Sequence, residues 1–340
     1  MADNFNDFNY ENDKGINSRE NEKPLIVLAG PTAVGKTETS IRLAETIGGE
    51  IISADSMQVY RHMDIGSAKI SPGEMHGIRH HMIDVLEPWE EFSVAFFKRK
   101  CEEYIKEIYG RGHIPILTGG TGFYIQAILR DISFAEETDS GYRDELENIA
   151  AERGAHFLHA MLEKADPEAA EKIHENNIKR TIRALEFYRQ TGEKISVHNE
   201  RERQKESAYN SCYFVLNDKR ELLYSRIDNR VDEMLDRGLV NEVKALREMG
   251  LNRSMVSMQG LGYKELLDYF EGKYTLDEAV ALIKRDTRHF AKRQLTWFRR
   301  ERDIIWVNKY EFEYDSNRIL KFILDKIIEK GIMVNGQRQL

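Results

Sequence analysis

Cysteine is almost absent from this 340-residue chain: Cys101 and Cys212 are the only two, far apart and outside any metal-type spacing. That excludes a disulfide framework and a cysteine-based zinc site, and two free thiols fit a reducing, cytoplasmic setting. Also missing is any run of about 18 apolar residues, which excludes a membrane-spanning helix. The first 22 residues lack the apolar centre of a signal peptide; polar, Asn-rich and acidic, they read as a disordered leader. Positive charge is in deficit, with 50 Lys and Arg against 58 Asp and Glu and a net charge of -8. Such a chain does not hold nucleic acid through its overall field, although a local basic surface stays open. No internal repeat is present. What remains is an ordinary soluble composition, 41% hydrophobic and 32% charged, long enough for more than one structural unit.

The apolar stretch PLIVLAG (24–30) predicts a buried strand, followed by a Gly-rich loop and a helix with Ile41, Ala44 and Ile47 on one face. EIISADSM (50–57) predicts a second strand. From Ser93, Val94, Phe97, Cys101, Ile105 and Ile108 recur at helical spacing, and HIPILTGGTG (113–122) runs from a strand into a glycine turn and another helix. Strands and helices alternating over short connections predict a parallel sheet covered by helices. The character changes near residue 137, where a charged, helical stretch begins that includes a helix start at Asp166-Pro167-Glu168. SCYFVLN (211–217) reads as a strand returning to the sheet. DKRE (218–221) has capping-box spacing before a helix with Leu223, Ile227, Val231 and Met234 inward, and TLDE (275–278) opens another. DIIWVN (303–308) is the last strand, and Ile319, Phe322, Ile323 and Ile327 mark a terminal helix. The expected division is a leader (1–22), a core (23–136 and 209–310), a helical insertion (137–208) and a helical tail (311–340).

Gly30-Pro31-Thr32-Ala33-Val34-Gly35-Lys36-Thr37 fits G-x-x-x-x-G-K-[ST] between a strand and a helix. The glycines let successive N–H groups turn toward an anion, the helix N-terminus and the Lys36 ammonium add positive potential, and Thr37 can reach Mg2+. The motif says polyphosphate and leaves open which one. A Walker-B strand is missing, since EIISAD and IPILTGG end in Ser-Ala-Asp and Thr-Gly-Gly, which counts against a routine ATPase or kinase. In an open α/β sheet, ligands sit at the carboxyl ends of strands, so Asp55, Thr121 and the loop should converge. The rival readings are a turn cap for Asp55 and a turn hydroxyl bonded to its own backbone for Thr121.

Seven stretches carry a resemblance: GPTAVGKT, SADSMQVYRHMDIGSAK, HHMIDV, LTGGTGFYIQAIL, NIKRTIRALEFY, QGLGYKE and KRQLTWFR, in that order between about Pro24 and Trp306. Together they resemble the tRNA dimethylallyltransferases, in the shorter bacterial form without a C-terminal zinc finger. The resemblance implies a P-loop NTPase-like α/β fold, a parallel sheet flanked by helices with a helical insertion domain. It implies that the loop holds dimethylallyl diphosphate, with Mg2+ on Thr37. The dimethylallyl group passes to N6 of an adenosine beside the anticodon, and diphosphate leaves. Asp55 becomes the general base for a poorly nucleophilic amine, Thr121 lies near the reacting centre, and Lys36 stabilises the leaving group. Arg226 and Arg230, four apart on one helix face, are the diphosphate candidates, Arg230 first, with surface pairing to Asp232 or Glu233 as the rival.

The partner so implied is the tRNA anticodon stem-loop, whose target base has to leave its stack, and the enzyme is expected to act as a monomer. KRDTRHFAKRQLTWFRRER (284–302) carries eight Lys or Arg and two acids, interleaved with His289, Phe290, Trp297 and Phe298. Its cations should face RNA, Arg293 among them; its aromatics should pack mostly inward, with Trp297 also expected at the RNA-binding surface as a stacking group. By resemblance, Arg143, the stretch Lys179, Arg180, Thr181, Ile182 and Arg183, the turn Asp55, Ser56, Met57 and Gln58 with Thr121, and Gln259, Gly260, Gly262, Tyr263 and Lys264 also approach tRNA. His80 and His81 sit side by side on a strand and point to opposite faces, so hydrogen bonding is favoured over a metal site. The alternatives are a nucleotide or small-molecule kinase, a prenyltransferase acting on free adenylate, and a non-catalytic RNA-binding regulator.

Overall fold

Six strands and twelve α-helices alternate along the residues described by the computed structural model, 23–134 and 141–332. The leader, the residues around the expected insertion boundary (135–140) and the end of the tail (333–340) lie outside the described residues. In chain order the elements are β1 (Pro24–Ala29), α1 (Lys36–Ile47), β2 (Gly49–Ala54), β3 (His80–His81), α2 (Val94–Gly110), β4 (Ile114–Gly119) and α3 (Gly122–Leu129). Then follow α4 (Tyr142–Ala165), α5 (Pro167–Lys172), α6 (Ile178–Thr191), α7 (Ile195–Gln204), β5 (Asn210–Asn217) and α8 (Arg220–Asp236). The chain continues through α9 (Leu239–Glu248), α10 (Tyr263–Phe270), α11 (Leu276–Phe298), β6 (Ile304–Asn308) and α12 (Ser316–Glu329).

The strands form one sheet in the order β3-β2-β4-β1-β5-β6, with every pairing parallel. β1 is central and apolar on both faces, as a strand covered twice must be. Leu25, Val27 and Ala29 pack on the face of α2, α3, α9 and α10. Ile26 and Leu28 pack on the opposite face with α1, α12 and Leu223 and Ile227 of α8. The register matters most for function. Ala29 lies beside Gly119 and Val215, and Ala54 beside Gly119, so the chain leaves β1, β2, β4 and β5 at one edge of the sheet.

The insertion helices bury their own cluster, built on Leu146, Leu158, Leu162, Ile182 and Leu185. Asp166 caps α5 by accepting from Ala169 N–H at 3.1 Å, and it accepts from Ser196 N–H at 2.9 Å and Ser196 Oγ at 2.7 Å, which ties α5 to α7. Chain exit and return meet at Leu129, whose carbonyl accepts from Ala208 N–H at 2.7 Å.

Two local expectations change. DKRE does not form a capping box: Lys219 precedes α8 without a side-chain cap, and Asp218 instead binds Arg226 at 2.5 Å and Tyr314 Oη at 3.2 Å. On α11 the fully buried aromatic is Phe298, in line with Ile283, Ala291 and Gln294, whereas Phe290 lies off that stripe under the Arg293 guanidinium. The paired histidines have separate structural partners. His80 Nδ1 meets the Ile78 carbonyl at 2.9 Å, and His81 Nε2 meets Glu50 at 2.7 Å. Glu50 is buried at the opposite end of the sheet from the loops described next. Burial would raise its pKa, but hydrogen bonds from Arg111, His81 and His113 prevail and hold it at about 2.

Candidate active site

The loop after β1 is shaped by two glycines. Gly30 has φ 151° and Gly35 φ 96°, and a Cβ on Gly30 would lie 2.6 Å from the Leu216 carbonyl oxygen. Side chains are excluded there by backbone conformation and by the neighbouring strand end. The loop delivers the chain into α1, and the N–H groups at a helix N-terminus are donors that suit an anion. Lys36 folds back over the loop and donates to the carbonyls of Gly30 at 3.0 Å and Pro31 at 2.9 Å. Enclosure lowers its pKa, Asp55 opposes that and Arg230 adds to it, leaving the ammonium at about 8. A bound anion favours the charged form, so alkyl diphosphate affinity is expected to fall as pH rises through about 8, with proton uptake on binding near that pH. The ligand's own second ionisation is complete by pH ~7.5, so calorimetry between pH ~7.5 and ~9 isolates the lysine. A flat affinity over that range would remove Lys36 from the anion site.

Asp55 follows β2 directly. Its Oδ1 accepts from Met57 N–H at 2.8 Å and Gln58 N–H at 3.4 Å, so the turn-cap reading is correct for one oxygen. Oδ2 has no hydrogen-bond or ion-pair partner among the described residues. Its charge is close enough to act on both Lys36 and Arg230. Thr121 lies alongside, its N–H donating to the Ala54 carbonyl at 3.3 Å, and its hydroxyl makes no cap to α3. The self-bonded turn hydroxyl is therefore not what forms.

The two arginines of α8 diverge. Arg230 makes no hydrogen bond or ion pair among the described residues; enclosure lowers its pKa, against which Asp55 and Glu233 pull upward. A guanidinium in this state is a ready receptor for an anion. Arg226 is instead held by Asp218, whose side chain is fully buried. The expected surface partner Asp232 belongs to Lys284, at 2.6 Å. Lys309, just after β6, was not signalled by the sequence: its Nζ reaches the Val34 carbonyl at 3.3 Å, bracing the phosphate loop from outside.

The expected RNA-facing residues separate by burial. Thr181 and Ile182 point into the insertion core and Tyr263 is fully buried, so their side chains cannot meet RNA; a contiguous motif includes its packing positions. Gly260 and Gly262 are buried as well. Gln58 turns inward, its Oε1 accepting from Ser53 Oγ at 2.9 Å, and the Gln259 amide binds the Arg253 carbonyl. Arg143 forks onto Glu186 at 3.0 and 2.9 Å. Lys264 lies 3.4 Å from Glu265, while Met57 packs beside Gly260 and Ser56 is partly exposed on the same turn. Lys179, Arg180, Arg183, Lys292, Arg293, Arg299, Arg300 and Arg302 have no ion pair or side-chain hydrogen bond among the described residues. Lys284, Arg285 and Arg288 are neutralised by Asp232, Asp286 and Asp228. Arg183 and Trp297 line a cleft of 330 Å³ between the core and the insertion.

Glu242 of α9 carries no signal in the sequence. Its carboxylate accepts from the N–H groups of Asp64, Ile65 and Gly66 at 2.7 to 3.0 Å and from Tyr263 Oη at 2.8 Å. It thereby fastens the segment after Asp55 to the QGLGYKE turn. No spacing rule would have picked out one glutamate on a charged helix.

The family model for IPP transferase matches residues 58–301, and that for isopentenyl transferase matches residues 23–88. A tRNA dimethylallyltransferase of Lachnoclostridium phytofermentans is 59% identical over 92% of this chain and 99% of its own length. One from Carboxydothermus hydrogenoformans is 52% identical over 92% and 97%. Among solved structures, the tRNA isopentenylpyrophosphate transferase of Bacillus halodurans is 44% identical with a TM-score of 0.69, over 92% of this chain and 99% of that one. A eukaryotic dimethylallyltransferase acting on tRNA is 31% identical with a TM-score of 0.76, over 90% and 80%.

Proposed function

The chain belongs to the IPP transferase family, and from that premise we propose that it moves the dimethylallyl group of dimethylallyl diphosphate onto N6 of adenosine 37, beside the anticodon, in tRNAs that read codons beginning with U. The products are N6-(dimethylallyl)adenosine and diphosphate. One observation carries the mechanistic reading: Asp55 has one oxygen fixed by its own turn and the other without a partner among the described residues, close enough for its charge to act on Lys36 and Arg230.

The amine nitrogen attacks C1 of the dimethylallyl group as the C1–O bond to diphosphate breaks. The N6 lone pair is delocalised into the purine, so proton removal by Asp55 Oδ2 helps the new C–N bond form. Negative charge grows on the leaving oxygen, where the loop N–H groups, Lys36 and Arg230 stabilise it. Thr37 is exposed at the start of α1, and no acidic cluster lies beside it among the described residues. That fits a Mg2+ held by one hydroxyl together with diphosphate and water. When bound, the ion neutralises charge on the diphosphate.

The cations of α6 and α11 that are unpaired among the described residues suit an RNA backbone and would let an acidic chain bind one. Both cysteines are buried thiols, and no described helix is long and apolar enough to cross a membrane; a cytoplasmic monomer is the form proposed. Replacing Lys179, Arg180 and Arg183 together by Ala is expected to weaken tRNA binding at ~0.1 M salt by at least about tenfold. It should also flatten the log–log salt dependence by roughly 0.7 to 0.9 for each RNA phosphate that is no longer neutralised. Filter binding across a salt series checks both, and an unchanged slope would place RNA elsewhere.

The function itself is tested with labelled dimethylallyl diphosphate and three acceptors. Label in unmodified tRNA is the expected result. Label in AMP alone indicates an adenylate prenyltransferase, and ATP-dependent phosphorylation without prenyl transfer indicates a kinase.

A further inference from the structure

A buried glutamine joins the two loops that the reaction has to bring together. Gln294 lies on the core stripe of α11 and is 7% exposed. Its Oε1 accepts from Thr32 N–H at 3.0 Å, and its Nε2 donates to the Gly120 carbonyl at 3.0 Å. The partners settle the amide's orientation, because a backbone N–H can only donate and a carbonyl can only accept. One rigid carboxamide thus spans the phosphate loop and the turn that carries Thr121. Gly120 is shaped to this contact, since a Cβ there would run into the Gln294 amide nitrogen. One turn further along α11, the Trp297 indole covers Gly122 and contacts Phe123 edge-on. Six residues earlier on the helix, Arg288 binds Asp228 of α8 at 2.5 Å, two residues from Arg230.

We propose that Gln294 is a positioning residue for the transfer: it sets the separation between the diphosphate cradle and the Thr121 turn, and it passes donor occupancy on to that turn. The proposal deepens the function given above and rests on it. Gln294 touches neither reacting atom. It acts on attack geometry, in which a displacement of about 1 Å is worth about 10²-fold in rate. It also engages the Thr32 N–H, which leaves the N–H groups from Ala33 to Thr37 for the diphosphate.

Gln294→Leu removes both bonds at similar volume. Gln294→Glu keeps the acceptor for Thr32 and, when ionised, sets a carboxylate against the Gly120 carbonyl. In steady-state prenylation of tRNA, Gln294→Leu is expected to lower kcat by about 10²-fold. The KM for dimethylallyl diphosphate and the Kd for tRNA should each stay within about threefold. Relative to wild type at the same pH, and with the fold intact by circular dichroism throughout, Gln294→Glu should recover activity as pH falls and the carboxyl regains a proton to donate.

A second measurement is independent of turnover. Hydrogen exchange of residues 118–125 should slow when inorganic pyrophosphate is added to the wild-type protein and should not change in Gln294→Leu. Variants with kcat within about threefold of wild type, a loss confined to KM, or equal pyrophosphate protection in wild type and Gln294→Leu would each overturn the proposal. If Gln294→Leu fails to fold, a pH-independent defect in Gln294→Glu does so. Pyrophosphate protection without prenyl transfer by the wild type would sink the assigned reaction while leaving the coupling of the two loops in place.

Discussion

Asp55→Asn is expected to lower turnover by about 10² to 10⁴-fold while tRNA binding stays within several-fold. Asparagine is the informative substitution because its amide oxygen can still accept from Met57 N–H, the bond that Oδ1 makes now. The turn between Asp55 and Gln58 is therefore retained. What disappears is the second oxygen, which has no partner among the described residues and is the one able to take a proton from the incoming amine. Asp55→Ala should show the same kinetic loss, joined by some disorder of the turn. Single-turnover rates with saturating donor and tRNA separate chemistry from binding. Near-normal rates in Asp55→Asn would remove the general base, and a large drop in tRNA affinity would recast Asp55 as a residue that positions RNA.

The second large effect belongs to Arg230. Arg230→Gln is expected to reduce kcat/KM for dimethylallyl diphosphate by about 10² to 10³-fold, the scale for losing one strong donor at a developing oxyanion. The same change should leave the melting temperature of the donor-free protein equal or higher. Enclosure disfavours the Arg230 cation and no ion pair among the described residues offsets that, so removing it relieves a desolvation cost. Arg226→Gln is the contrast: it strips a cation from Asp218, whose side chain is fully buried, and should lower the melting temperature with a smaller kinetic effect. Thermal melts and steady-state kinetics on both variants test the pair. A destabilised Arg230→Gln with normal kinetics would assign the residue to the scaffold.

These two arginines also mark the limit of what local sequence can say. Helical spacing places Arg226 and Arg230 on one face, and nothing local separates their roles. The separation comes from the way the turn before α8 folds Asp218 back onto Arg226 and from Tyr314, which reaches the pair from far along the chain. The RNA-facing residues show the opposite error. Thr181, Ile182 and Tyr263 fall inside contiguous motifs, yet every motif on an amphipathic helix includes positions that pack. Lys179, Arg180 and Arg183, from the same stretch as Thr181 and Ile182, keep their cations in solvent or at the cleft.

The glycine loop after β1, the alternating elements and the run of helices from α4 to α7 were written into contiguous residues, because backbone wrapping, strand burial and helix periodicity depend on near neighbours. The places of Asp55 and Thr121 beside strand ends were legible for the same reason. The partnerships that complete the pocket depended on the assembled sheet. Gln294 bonds Thr32 across 262 positions, Glu242 bonds Asp64 across 178, and Lys309 reaches Val34 across 275. Interactions of that kind leave no periodic trace, since they exist only once parallel strands have brought their carboxyl ends to one edge and the helices have closed over them.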